Sequence, residues 1–241
     1  APQRLAHAFD LDDVTDAVRG HVSSVLLPAL IAMAEARDLS GAALVDAYVL
    51  GFEVACRLGQ LVFKSHYAKG WHSTSAIGAV AGAAAGARLI GLGEVAADHA
   101  ISLAVAQAGG TRANFGTMGK PFQAGHAART AVQSVRLASR GFTGGADALT
   151  GPYGFTRLYA AGEADPALFA LPAAGDTLAV DTVGVNLKKY PMCYAAHRAV
   201  DAMLALRQEH ALRPEQVAAI DVESSAAGHG PLVHHKPQTP N

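Results

Sequence analysis

Apolar residues recur at helical spacing through most of the chain and at strand spacing near its end. Leu26 to Ala36 reads as an apolar helix with Pro28 near its start, where proline is tolerated. Ser40 caps a second helix, in which Leu44, Tyr48, Phe52 and Cys56 stand four apart on one face. Ala76 to Gly86 is almost entirely glycine, alanine and aliphatics, and forms a third helix ending near Gly91. Ser73, Thr74 or Ser75 is its expected cap. Gly78, Gly82 and Gly86 fall on one face. Glycine inside a helix costs roughly 1 kcal/mol relative to alanine, so this stripe implies another backbone very close by. Glu94 to Ala108 and Phe122 to Arg140 are further helices, the second closed by Gly141 with Phe142 behind it. Residues 147–161 read as short helical turns broken by Gly151-Pro152-Tyr153-Gly154.

The pattern changes after Leu171-Pro172-Ala173-Ala174-Gly175. Val183, Val185 and Leu187 alternate as in a strand, Tyr194 to Glu209 is an amphipathic helix, and Val217 to Glu223 alternates again. The expected fold is mainly α: a large all-helical domain over residues 1–175, then the start of a smaller α+β lid domain over 176–241. The chain opens at Ala1 without methionine and stops in Lys236-Pro237-Gln238-Thr239-Pro240-Asn241, so it reads as a fragment, incomplete at both ends.

Composition narrows the partners. Of 241 residues 51% are hydrophobic and 16% charged, with a net charge of −1, which provides a sizeable core and no basic face for nucleic acid. The longest small-apolar run, Ala76 to Ala87, is too short and glycine-rich for a membrane span, and no signal peptide is visible. Two cysteines, Cys56 and Cys193, suit a reducing cytoplasm and offer no disulfide framework. Alone they do not hold an iron–sulfur cluster, which usually takes four thiolates. No cofactor and no metal are expected.

Four polar islands carry the candidate chemistry. Asp10-Leu11-Asp12-Asp13 precedes Gly20-His21, a carboxylate cluster that either binds or caps, with a histidine that either holds an anion or packs. His72 stands at the mouth of the Gly/Ala helix, at the positive end of its dipole, where the neutral imidazole of a general base is favoured. On that residue alone a satisfied structural histidine is the stronger reading. Lys120, within Gly119-Lys120-Pro121-Phe122-Gln123, precedes a helix start; a lysine and free backbone N–H groups make an anion site, and a solvated lysine is the equal alternative. In Asn186-Leu187-Lys188-Lys189-Tyr190-Pro191, strand alternation points one lysine inward and the other out, and the inward one needs a carboxylate partner. Cys193 reads as a packed thiol.

Four blocks taken in order resemble the MmgE/PrpD family: His7-Ala8-Phe9-Asp10-Leu11-Asp12-Asp13; Gly70-Trp71-His72-Ser73-Thr74; Gly119-Lys120-Pro121-Phe122-Gln123-Ala124-Gly125 with Arg140-Gly141-Phe142-Thr143-Gly144; and Lys188-Lys189-Tyr190-Pro191. The family includes 2-methylcitrate dehydratase, cis-aconitate decarboxylase and iminodisuccinate epimerase. The resemblance implies a helical domain with a smaller lid, a homodimer, and cofactor-independent chemistry on a small polycarboxylate. It matches Asp10, His21, His72, Lys120 and Lys188 to the family's active-site residues. The expected catalytic residues are His72, Asp10, His21 and Lys188, and those expected on the substrate are Lys120, Gln123, Lys189 and Ser73. Val14 stands where the decarboxylase branch carries threonine, Cys193 where it carries histidine, and Gln123 replaces a histidine common after the Lys-Pro-Phe run. The loop from Asp13 to His21 is altered in length. These departures argue against cis-aconitate decarboxylase and leave the substrate open. The expected reaction is proton abstraction α to a carboxylate. A hydro-lyase comes first and a dicarboxylate epimerase second; a non-catalytic helical dimerisation module is the reading from another class.

Overall fold

A computed structural model describes residues 7–62, 65–160, 169–170, 172–173, 175–224 and 232. Among them stand eight α-helices: α1 (Ser23–Glu35), α2 (Gly41–Val62), α3 (Ser73–Leu89), α4 (Glu94–Val105), α5 (Gly119–Ala138), α6 (Phe155–Tyr159), α7 (Ala179–Thr182) and α8 (His197–Glu209). Single 3-10 turns lie at Arg112–Asn114, Tyr194–Ala196 and Pro214–Gln216. The chain is mainly helical. Its β-pairing, among the described residues, consists of isolated antiparallel bridges joining Val14 to Asn186, Thr15 to Gly20 and Trp71 to Thr111. No described helix is long and apolar enough to cross a membrane.

The glycine-striped helix α3 is the axis of the fold. It packs against α1, α2, α4 and α5, and everything from Ser73 to Ala87 is buried. Its stripe meets two helices. A Cβ on Gly78 would lie 2.9 Å from Val25 of α1, one on Gly82 2.8 Å from Ala131 of α5, and one on Gly86 2.5 Å from Met33 of α1. Helices this close need small residues on at least one side, and the short contacts compensate the poor helix propensity of glycine. Val25, Leu26, Leu30, Phe52, Leu58, Ile77 and Val80 fill the core around this axis.

Helix boundaries follow local chemistry. Ser40 Oγ accepts the Ala43 N–H at 3.2 Å and caps α2, as its position before the periodic run predicts. After α5, Gly141 adopts φ +83°, its N–H bonds to Ala138 O and the Phe142 N–H to Leu137 O, a Schellman closure. Two helices begin earlier than their apolar pattern shows. Helix α1 starts at Ser23, which leaves Pro28 inside the helix rather than in its first turn. Helix α5 starts at Gly119 and takes in Lys120.

The alternating segments do not become strands. Asn186 pairs with Val14 through both backbone bonds (2.9 and 2.8 Å), but no ladder extends from that bridge. Residues 217–223 carry no strand either. A strand exists only where a neighbour takes its N–H and C=O groups. Leu187, Ile220 and Val222 instead remain exposed. The predicted helix from Tyr194 opens as a 3-10 turn and continues as α8, whose sole fully buried residue is His197. Segment 175–186 is tied to the core through α7: the Ala179 N–H donates to the buried carboxylate of Glu53 on α2 at 2.5 Å, and Arg57 takes its other oxygen at 2.8 Å.

Candidate active site

Three segments distant in sequence meet ahead of α3. The first is the loop 7–22. It is pinned by the Thr15–Gly20 bridge and by a close approach: a Cβ on Gly20 would lie 2.9 Å from Thr74 Oγ1 and 3.0 Å from its backbone nitrogen. That contact lets the His21 N–H donate to Thr74 Oγ1 at 3.1 Å. The three hydroxyls expected to cap α3 do other work. His72 itself is the N-cap, in extended conformation and without a side-chain cap bond. Thr74 holds the His21 loop, Ser75 donates to Gln123 O at 3.2 Å, and Ser73 faces a cavity of about 10 Å³ bordered by Val18, His66 and Tyr67.

The second segment is the start of α5. The Gly119 N–H donates to Thr117 Oγ1 and the Lys120 N–H to Thr117 O. The backbone donors expected to bind an anion there are already occupied, which leaves the Lys120 ammonium as the charge this segment supplies. The third segment runs past Asn186. Its bridge to Val14 turns Lys188 inward, with no exposed side-chain surface, and Lys189 outward, where it pairs with Asp201 at 2.8 Å. The alternation thus follows the predicted sense. Lys189 and Ser73, expected on the substrate, stand outside the group of residues gathered here.

At the centre is Asp10, a non-glycine residue at φ +52°. Such backbone conformations concentrate at functional sites. Asp10 Oδ1 accepts from Lys188 Nζ at 2.5 Å and from Lys120 Nζ at 3.2 Å, and Lys188 also reaches Asp12 Oδ1 at 3.5 Å. Burial works to raise the Asp10 carboxyl, but Lys120 and Lys188 together outweigh it and hold the group below its ordinary value. Asp12 is likewise buried, which works to raise it, but the His7 hydrogen bond and the nearby Lys188 charge help hold it far below the carboxylate range.

Three imidazoles lie beside this charge cluster. The His7 ring is 4.6 Å from that of His21 and stacks at 6.1 Å on that of His72. Their partners fix their tautomers. His72 Nδ1 lies 2.9 Å from Gln123 Oε1, and Gln123 turns that oxygen toward it by donating Nε2 to Thr111 O at 3.1 Å. Gly110, at φ +113°, makes room: a Cβ there would lie 2.7 Å from Gln123 Oε1. His7 Nδ1 lies 2.5 Å from Asp12 Oδ2, and His21 Nδ1 lies 2.8 Å from Asp13 O. Every partner is an acceptor, so each Nδ1 carries a hydrogen and each neutral ring keeps its lone pair on Nε2. The Nε2 atoms of His7 and His72 are buried with no hydrogen-bond partner among the described residues. Burial pushes His72 down to about 3, with the nearby charges of His7 and Lys120 adding to it and the Gln123 bond opposing it. Burial also brings His21 to about 3, against the pull of Asp12.

His7, Asp12 and His21 place ligand-type atoms within 4.8 Å of one another. A cation fits that trio poorly. Both Nδ1 atoms point hydrogens at oxygens rather than lone pairs at a common centre, and the Lys188 ammonium is 3.5 Å from Asp12. What the arrangement offers is two lysines for anionic groups and several imidazole nitrogens for protons. His7 and Asp12 stand in blocks that the sequence singles out, but it gives neither a role of its own. They lie in the same acidic island as Asp10, but a contact inside an irregular loop has no periodicity to announce it. Gln123, expected on the substrate, holds His72 instead. Cys193 is half-buried.

Fold and site together define a helical protein that gathers lysines, carboxylates and histidines into one buried cluster. Residues 4–167 match the MmgE/PrpD N-terminal domain, and the chain belongs to that family. It is 31% identical over 217 residues to a human cis-aconitate decarboxylase, covering 86% of this chain and 44% of the relative. It is 30% identical over 213 residues to the cis-aconitate decarboxylase of Aspergillus terreus, covering 84% and 44%. A cis-aconitate decarboxylase-like protein of Aspergillus oryzae is 30% identical over 215 residues, covering 84% and 45%. The chain therefore spans less than half the length of these relatives.

Proposed function

We propose that this chain contributes the anion-binding and proton-transfer residues of a cofactor-independent lyase acting on a small di- or tricarboxylate. The observation that carries the reading is the Lys120–Asp10–Lys188 cluster set beside three imidazoles with assigned tautomers. Removing a proton α to a carboxylate builds negative charge on that carboxylate. Two ammonium groups in a water-poor site stabilise it without a metal. His72 Nε2 is the proton acceptor. Burial alone makes it a weak base, but an arriving polyanion favours the imidazolium and raises its basicity where the proton is taken. Asp10 bridges the two lysines in the free site and gives them up, in part, to the substrate carboxylate.

Elimination of water, as by a 2-methylcitrate dehydratase, is the first reading. Decarboxylation is the second, favoured by what the relatives are named for and opposed by Val14 and Cys193 at positions where that branch carries threonine and histidine. The two residue segments 1–175 and 176–241 are proposed as a helical domain and the start of a lid. A panel of 2-methylcitrate, citrate, cis-aconitate and iminodisuccinate in deuterated water tests the reading on the intact protein. Alkene product supports elimination, carbon dioxide supports decarboxylation, and α-deuteration with inversion alone supports an epimerase. No turnover and no exchange with any of them would sink the lyase reading.

A further inference from the structure

Two histidines of the cluster have unlike partners. His72 gives its Nδ1–H to a neutral amide, Gln123, whereas His7 gives its own to the carboxylate of Asp12. A ring whose Nδ1–H rests on a carboxylate carries a second proton on Nε2 at lower cost than a ring resting on an amide. Paired groups whose surroundings differ in this sense take the roles of acid and base. The His7 side chain is wholly buried, stacks on His72, and ends in an Nε2 with no hydrogen-bond partner among the described residues. A buried polar atom left unpartnered is costly unless something else completes it.

We infer that His7, in its imidazolium form with Nδ1–H held by Asp12, is the general acid of the site and donates its Nε2 proton to the leaving group while His72 acts as base. The inference rests on the elimination reading above. His72 Nε2 takes the α-proton, and the C–H electron pair becomes the new C=C bond. The C–O bond breaks with its pair on oxygen, and His7 Nε2–H protonates that oxygen as it departs as water. His72 ends with one proton more and His7 with one fewer. Transfer back through solvent resets the pair. Nothing else is consumed.

The test compares two leaving groups. His7→Asn keeps an N–H for Asp12 but has no second nitrogen to carry a proton. With a hydroxy acid that the wild type dehydrates, its kcat should fall about 100-fold or more, with KM little changed. With the fluoro analogue, whose leaving group needs no proton, it should run near the wild-type rate. Asp12→Asn is measured alongside and should show the same split, which keeps the comparison alive if His7→Asn does not fold. Equal losses on both substrates would mean that His7 only supports the structure, and no loss on either would remove it from the reaction. Both outcomes overturn the inference and leave the lyase reading standing. A wild type that dehydrates no hydroxy acid overturns the elimination reading, and this inference with it.

Discussion

Three buried histidines make the fold acid-sensitive well above the carboxylate range. Burial holds His72 and His21 at about 3 and His66 at about 4, against an ordinary 6.5. Between those limits the unfolded chain binds a proton at each position and the folded chain does not, so stability rises with pH there and is lost as pH falls from 6.5. From pH 7.5 to 5.5 each unfolded histidine goes from about one-tenth to about nine-tenths protonated, worth about 1.4 kcal/mol per group. Three groups give about 4 kcal/mol, a large share of the roughly 5–15 kcal/mol a domain possesses. Asp10 and Asp12, held low, act in the same sense but only below their ordinary 3.8. The lowered pair leaves the window chosen undisturbed. Asp13, raised mainly by burial, acts in the opposite sense, above 3.8. Urea unfolding of the 241-residue chain at pH 7.5, 6.5 and 5.5 measures the loss. His66→Phe, which replaces a ring packed between Trp71 and Tyr159, should reduce the loss by about one-third. A loss under about 1 kcal/mol would show that these rings take up protons inside the fold, and the buried-neutral account would be wrong.

Other substitutions separate the roles of the parts. Lys188→Met leaves Asp10 and Asp12 facing one another in a buried place and should cost about 3–5 kcal/mol of stability. Lys120→Met, at the more open edge, should cost about 1 kcal/mol, yet both should lower kcat by about 100-fold or more if they stabilise developing charge. Denaturant melts and steady-state kinetics on the intact protein read the two effects separately. Gly82→Val drives a side chain into Ala131 of α5 and should cost about 1–3 kcal/mol, whereas Gly41→Ala, with nothing within 4 Å of its Cβ, should not destabilise. Thermal midpoints of the pair check this. Glu53→Ala removes the acceptor of the Ala179 N–H and should cost about 1.5–3 kcal/mol, with hydrogen exchange at Ala179 accelerating.

Much of the helical scaffold is legible in residue order because its signals are local. Ser40 before an apolar run and Gly141 after one act through backbone groups a few residues away. The glycine stripe was legible as close approach, though not which helices approach. The cap of α3 was misread because three hydroxyls in a row satisfy the local rule, while tertiary partners claim them: Thr74 for the His21 loop, Ser75 for α5. The strand reading failed for a related reason. Alternation in Val183, Val185 and Leu187 states which way side chains point, not whether a neighbouring strand exists. A single bridge at Asn186 sufficed to turn Lys188 in and Lys189 out. The His7–Asp12 pair was invisible because its geometry arises inside an irregular loop.

The charges of the cluster suggest how a polyanion enters it. Asp10 and Asp12 offset Lys120 and Lys188. With His21 and His72 neutral, these four charged side chains leave no surplus positive charge among themselves for a polyanion that brings two or three negative ones. Lysines freed from Asp10 would leave that carboxylate uncompensated in a partly buried place, which is unfavourable unless another positive charge appears. The imidazoles supply it. Those of His21 and His72 are kept neutral by burial and by nearby positive charge, and an arriving anion opposes both effects. On the proposed lyase reading, substrate binding and proton uptake are therefore one event. The bases stay silent until the polyanion that needs them is bound, and the stability given up in acid is the counterpart of that arrangement.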